Sequence, residues 1–138
     1  MIRITRNVAD DIIGHAKKDT PVEACGYLAG KNGIITKSYR MSNIDNSPEH
    51  FSFDPKEQFE VIKQARSEGL EIIANYHSHP VTPARPSQQD IKLAYDPDIR
   101  YVIISLEGGR EDIKSFSIKN SEVKTQEIKI INDLNQIL

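Results

Sequence analysis

The sequence predicts an α+β fold, a mixed β-sheet flanked by helices, and three observations carry that prediction. Short runs rich in β-branched and aromatic residues recur along the chain; two longer stretches repeat apolar residues at helical spacing; and the two kinds do not alternate as regular βα units. No internal repeat, linker or low-complexity stretch interrupts the 138 residues, so one domain spanning 1–138 is expected. A chain of this size buries about two-thirds of its unfolded surface, enough for an independent core.

Taken in order, Ile2-Arg3-Ile4 alternates as a short opening strand. Asn7 offers an N-cap with Asp10 at the third helical position, and Val8, Ile12 and Ala16 recur at helical spacing, which predicts a helix over 8–18 that ends before Pro21. His15 falls toward its polar side and reads as a surface histidine. Residues 22–29 read as a strand with Glu23, Cys25 and Tyr27 on one face. Lys31-Asn32-Gly33 holds the Asn-Gly pair of a tight hairpin, so 34–41 is the returning strand. Asn43 to Pro48 is a polar, turn-rich loop. His50-Phe51-Ser52-Phe53 alternates as a short strand, in which His50 reads as a partly exposed histidine, with a place in a substrate groove as the alternative.

Asp54-Pro55-Lys56-Glu57 marks a helix start, with a capping acid, proline at the first position and glutamate at the third. Phe59, Ile62, Ala65 and Leu70 supply its core face and Gly69 stops it. Residues 70–76 then read as a buried strand that runs on through His79. After Pro80, Pro83 and Pro86 a short helix runs from Gln88 to Tyr95, and Asp96-Pro97-Asp98 breaks it. Arg100 to Leu106 reads as a central strand, Gly108-Gly109 as a turn, 113–118 as a strand and 123–131 as a last strand with period two. The tail through Leu138 is expected to form a short helix.

Eighteen basic and 20 acidic residues give a formal net charge of -2 without blocks of like charge, so composition offers no footprint for nucleic acid or membrane. The apolar runs are far shorter than the roughly 20 residues of a membrane span, and the amino terminus has no signal-peptide apolar region. A cytoplasmic protein is expected. The lone Cys25 fits a reducing compartment and excludes an internal disulfide. In an apolar strand, with no basic neighbour in sequence, it reads as inert packing and not as a nucleophile.

The chemistry concentrates in residues 77–90. His77 and His79 stand two apart at the end of the apolar strand, which places both rings on one face about 6 to 7 Å apart along the chain. Ten residues later Asp90 follows a proline-stiffened loop that can fold it back. Two histidines and one carboxylate leave a fourth tetrahedral position open, the pattern of a catalytic rather than a structural zinc site. Each residue also has a plainer reading: the histidines as ordinary strand residues, Ser87 as the N-cap of the helix it precedes, and Glu23 as an edge-strand charge or the partner of a lysine.

His77-Ser78-His79-Pro80 followed by Pro86-Ser87-Gln88-Gln89-Asp90 resembles the JAMM (MPN+, Mov34/MPN/PAD-1) motif of zinc-dependent isopeptidases, and Pro21-Val22-Glu23-Ala24-Cys25-Gly26 resembles the strand that carries that family's glutamate. The likeness extends over residues 5 to about 106 with no departure at a motif position. It implies a curved mixed sheet flanked by helices, a cytidine-deaminase-like sandwich. It implies one Zn²⁺ on His77, His79 and Asp90, Glu23 as the proton acceptor for water, and Ser87 as donor to the oxyanion of the scissile carbonyl. The implied substrate is a ubiquitin-like or sulfur-carrier protein, cut after its carboxy-terminal Gly-Gly, and the short chain is similar to compact prokaryotic members acting on small adducts or extensions. A strand beside the site is expected to bind an extended peptide by edge pairing. A non-catalytic MPN scaffold and a metallohydrolase of small peptides or other amides are the alternatives, and the sequence leaves the oligomeric state open.

Overall fold

The computed structural model describes residues 1–132. The helix expected in the tail lies outside the described residues. Eight strands form one mixed sheet: β1 (Ile2–Thr5), β2 (Cys25–Lys31), β3 (Ile34–Met41), β4 (Glu71–His79), β5 (Arg100–Ser105), β6 (Asp112–Lys119), β7 (Glu122–Gln126) and β8 (Ile128–Ile131). Across the sheet they run β7-β6-β5-β4-β2-β3-β1-β8. Among the described residues three α-helices accompany them, α1 (Arg6–Asp19), α2 (Pro55–Ser67) and α3 (Gln88–Lys92), with a short 3-10 turn at Glu107–Gly109, so the α+β expectation holds.

The region 123–131 is not the single strand its period suggests. The chain leaves β7 at one edge of the sheet and enters β8 at the other, with only Glu127 between them. A one-residue step can join the two edges only if the sheet curls until they nearly meet. The backbone confirms the junction, because Glu127 gives its carbonyl to the amide of Ile2, at the start of β1. Inside the curl lies α1, whose Val8, Ala9, Ile12 and Ala16 pack with Ile4, Leu28, Ile35, Tyr76, Val102 and Ile104.

That enclosure overturns two expectations. Helix α1 starts at Arg6, and Thr5 takes the N-cap position without a side-chain hydrogen bond, so Asn7 lies within the helix. His15 is buried, since the wrapped sheet covers the flank that periodicity assigned to solvent. Its Nδ1 lies 2.6 Å from the Tyr76 hydroxyl and its Nε2 3.1 Å from Asp19.

On the outer face, α2 packs Val61 and Ala65 against Tyr27, Tyr39 and Met41. Asp54 caps it by accepting from the Lys56 amide, and Gly69, at φ 73°, turns the chain into β4. Phe59 does not join the core and is 69% exposed, because the face that docks centres on Val61 and Ala65. The Asn32-Gly33 pair adopts positive φ at both residues, as a two-residue hairpin requires. His50 to Phe53 forms no strand; a lone bridge between Asn43 and Phe53 is its only ladder contact among the described residues. Helix α3 stops at Lys92, short of Tyr95.

Candidate metal centre and active site

Strand β4 is hydrogen-bonded to β2 on one side and β5 on the other, so its end is held rigidly where His77 and His79 emerge. Alternation puts Asn75, His77 and His79 on the outer face, while Tyr76 and Ser78 point to the buried side. The segment 80–86 then brings α3 back across this end. Asp90 Oδ2 lies 3.0 Å from His77 Nε2 and 3.1 Å from His79 Nε2, and the two ring nitrogens are 3.1 Å apart. Both histidines are buried.

The hydrogen bonding of His79 fits a cation at this corner, while His77 Nδ1 has no partner among the described residues. His79 Nδ1 sits 2.8 Å from the Pro83 carbonyl, to which it can only donate, so a neutral ring presents a bare lone pair at Nε2. That lone pair faces a carboxylate and a second imidazole nitrogen. Nitrogen and oxygen ligands on a tetrahedral ion at zinc-type bond lengths lie about 3.3–3.5 Å from one another, close to the separations found. Burial would raise the Asp90 carboxyl, yet the His77 and His79 contacts, with the Ser87 amide, hold it well below the usual carboxylate range. His79 is raised: burial opposes its charge, but the Asp90 hydrogen bond, the Pro83 carbonyl and the nearby Asp90 and Glu23 charges favour the proton. Protons and a metal therefore compete for the same atoms. His77, His79 and Asp90 are the residues that could hold a metal.

Glu23 lies just upstream of β2 and not inside it, because its amide donates to Ser47 O rather than to a strand partner. Cys25 pairs with His77, and Ala24 and Ser78 exchange two bonds: Ser78 N to Ala24 O at 3.0 Å and Ala24 N to Ser78 Oγ at 2.8 Å. Continuing that register sets Glu23 level with His79. Glu23 is 2% exposed and its Oε1 has no hydrogen-bond partner among the described residues. Burial pushes its carboxyl up to about 8; His79 opposes the rise and the Asp90 and Glu49 charges add to it.

Ser87 is the N-cap of α3 and forms a capping box with Asp90: its Oγ accepts from the Asp90 amide at 3.0 Å and its own amide donates to Asp90 Oδ2 at 2.9 Å. The cap uses an oxygen lone pair and leaves the hydroxyl proton free to donate. Cys25 is fully buried and burial drives its thiol up to about 12, which agrees with inert packing.

Two residues that sequence reasoning passed over complete the frame. Ser78, between the two histidines, ties β4 to Ala24 as described above; a hydroxyl on the inward face that Ala74 and Tyr76 share was the signal. Asn43 knits the 43–53 loop to the glutamate: its Nδ2 donates to the carbonyls of Glu23 at 3.1 Å and His50 at 3.0 Å, and its Oδ1 accepts from the amides of Asp45 and Ser52. No spacing rule marks such a hub. Phe51 of the same loop stacks on His77, ring centroids 4.7 Å apart.

Beside the metal corner a cavity of about 710 Å³ opens between α2, α3 and the 43–53 loop, floored by Tyr27, Asn75 and Tyr101 and reaching His77 and Asp90. The expectation of edge pairing fails here, since β2, β4 and β5 each have strand partners on both sides.

The family model described as prokaryotic homologs of the JAB domain matches residues 5–119. The chain belongs to this family. Within it, the chain is a compact prokaryotic JAMM/MPN protein and a hydrolase of the protease class. It is 32% identical over 131 residues to a CysO-cysteine peptidase of Mycobacterium tuberculosis, an alignment covering 93% of this chain and 90% of that one. It is also 32% identical over 110 residues to a desampylase of Pyrococcus furiosus, covering 80% and 76%. Among solved structures, the solution structure of a protein from Desulfitobacterium hafniense matches with a TM-score of 0.90 and 42% identity, covering 99% of this chain and 97% of that one. Among the described residues no helix is long and apolar enough to cross a membrane.

Proposed function

We propose that the protein is a zinc-dependent peptidase that hydrolyses the amide bond after the carboxy-terminal Gly-Gly of a ubiquitin-like or sulfur-carrier protein. The observation that carries the reading is the convergence of three buried ligand atoms beside an unpartnered carboxylate, at the head of a groove. Relatives named for cleaving CysO-cysteine and for desampylation support the substrate class. When bound on His77, His79 and Asp90, the ion supplies Lewis acidity to the scissile carbonyl and makes water acidic enough to deprotonate near neutral pH.

The chain's own groups do the rest. Glu23 takes the proton from the attacking water at its free carboxylate oxygen and delivers it to the leaving amine nitrogen as the C–N bond breaks. Burial raises the affinity of Glu23 for protons, and a cation held beside it would oppose that rise and favour the carboxylate that accepts one. The Ser87 hydroxyl, its lone pair engaged by the Asp90 amide, turns its proton to the oxyanion. The groove takes the extended tail and leads it to the corner at His77 and Asp90. The test is a zinc-loaded panel of Gly-Gly-extended ubiquitin-like proteins against free dipeptides. Cleavage confined to the extended proteins supports the reading, and cleavage confined to dipeptides overturns it.

A further inference from the structure

The 43–53 loop carries a second histidine–carboxylate pair at the groove. His50 Nδ1 lies 2.9 Å from Asp45 Oδ2, and the same oxygen accepts from Ser52 Oγ at 2.8 Å. Asp45 is itself fixed, because its amide donates to Asn43 Oδ1, and Asn43 Nδ2 holds the His50 carbonyl. Two layers of hydrogen bonds thus orient one ring on a loop. An exposed His–Asp contact contributes only about 0–1 kcal/mol to stability, which does not explain such a frame.

Its placement does. His50 lines the same cavity as His77 and Asp90, and the next residue, Phe51, stacks on the His77 ring. With Nδ1–H donating to Asp45, the neutral ring keeps a lone pair at Nε2, which makes no hydrogen bond among the described residues. Strands bordering the site offer no free edge, so a peptide lying over the sheet face needs acceptors for its amides from side chains. We propose that His50, oriented by Asp45, is a substrate-binding residue whose Nε2 accepts one backbone N–H of the extended chain in the groove. The inference rests on the peptidase reading for the identity of that chain. His50 thereby fixes the register of the tail, setting which carbonyl reaches the corner.

The experiment uses zinc-loaded Glu23→Gln protein, so that binding is read without hydrolysis. The probe is a fluorescein-labelled hexapeptide with an internal Gly-Gly, together with a series in which each amide in turn is replaced by an ester, removing one N–H at a time. One ester position is expected to weaken binding about tenfold in protein with His50 and to have no effect after His50→Phe. His50→Gln, whose side-chain oxygen reaches the place of Nε2, should restore the sensitivity. A loop that is merely loosened would weaken all peptides alike. Equal ester costs with and without His50, or no peptide binding at all, overturns the proposal. Turnover of a Gly-Gly-extended ubiquitin-like protein by the native chain, run in parallel, judges the peptidase reading separately: inactive protein with the His50-dependent ester effect sinks that reading and keeps this one.

Discussion

Two histidine–aspartate clusters, His15 with Asp19 and His77 and His79 with Asp90, meet opposite faces of β4 at the neighbouring residues Tyr76 and His77, and they differ in how they are closed. Behind the sheet, the Tyr76 hydroxyl donates to His15 Nδ1 and His15 Nε2–H donates to Asp19, so each nitrogen has a partner of the opposite sense. In front, His77 and His79 both aim Nε2 at one Asp90 oxygen and at each other, while the Pro83 carbonyl holds the His79 proton on the far nitrogen. With the His79 ring neutral, the Ser87 amide at Asp90 Oδ2 is the one backbone donor that reaches these atoms among the described residues, and His77 Nδ1 has no partner there. Burial and His–Asp pairing are thus common to a polar strut and to a candidate metal centre. What separates them is the balance of donors and acceptors.

The comparison can be broken at several places, in descending size of effect. Glu23→Gln should keep the metal and lower kcat by about 10²–10⁴-fold, the range of a lost acid–base group, checked by steady-state turnover beside metal analysis. Retained turnover would remove Glu23 from the chemistry. Ser87→Ala should cut kcat by up to about 10²–10³-fold if the hydroxyl serves the oxyanion, with metal affinity nearly unchanged. If it is a cap alone, the loss is about 0.5–2 kcal/mol of stability and no turnover; a melting curve beside the rate separates them.

A pH effect follows from the raised Glu23. A carboxyl held at about 8 in the fold, against an ordinary 4.5, keeps its proton better folded than unfolded. Metal-free protein should therefore lose stability as pH rises from about 4.5 to 8. His79, also raised, loses its contribution in the same direction, so the Glu23 share is the difference from Glu23→Gln, roughly 2–4 kcal/mol between the ends of that window in urea titrations. Asp90 acts oppositely and below that range, its contribution lost only as pH falls beneath the ordinary carboxylate value. Smallest is the strut itself: His15→Phe leaves the Tyr76 hydroxyl and Asp19 unpaired and should cost about 1–3 kcal/mol in unfolding free energy, with metal content unchanged. A loss of metal from that variant would mean that the two faces of β4 are not independent.

Much of this was legible in the sequence where local chemistry decides. The Asn-Gly hairpin, the Asp54-Pro55 helix start and the alternation that aligns His77 with His79 depend on neighbours a few residues apart, and each stands as expected. The proline-stiffened loop and a ten-residue gap also sufficed to bring Asp90 back. The misses share a cause: each depended on what another part of the chain covers. His15 is buried because the sheet curls round α1, Phe59 is exposed because nothing described packs over it, and 123–131 divides because the two edges of a closing sheet meet there. The Glu23 amide leaves the ladder for Ser47, a contact across the fold that strand periodicity cannot register. Asn43 and the Asp45–His50 pair gave no spacing signal, since their partners are backbone groups and loop neighbours fixed only once the loop folds over the groove.

The central claim is that the front cluster is a metal centre, and its most direct test is metal content per chain after purification without added zinc, for the native protein and for His79→Ala. The account predicts one zinc per native chain and none in the variant. No metal in either, even after zinc is supplied, would contradict it and leave a protease-family fold that serves as a scaffold.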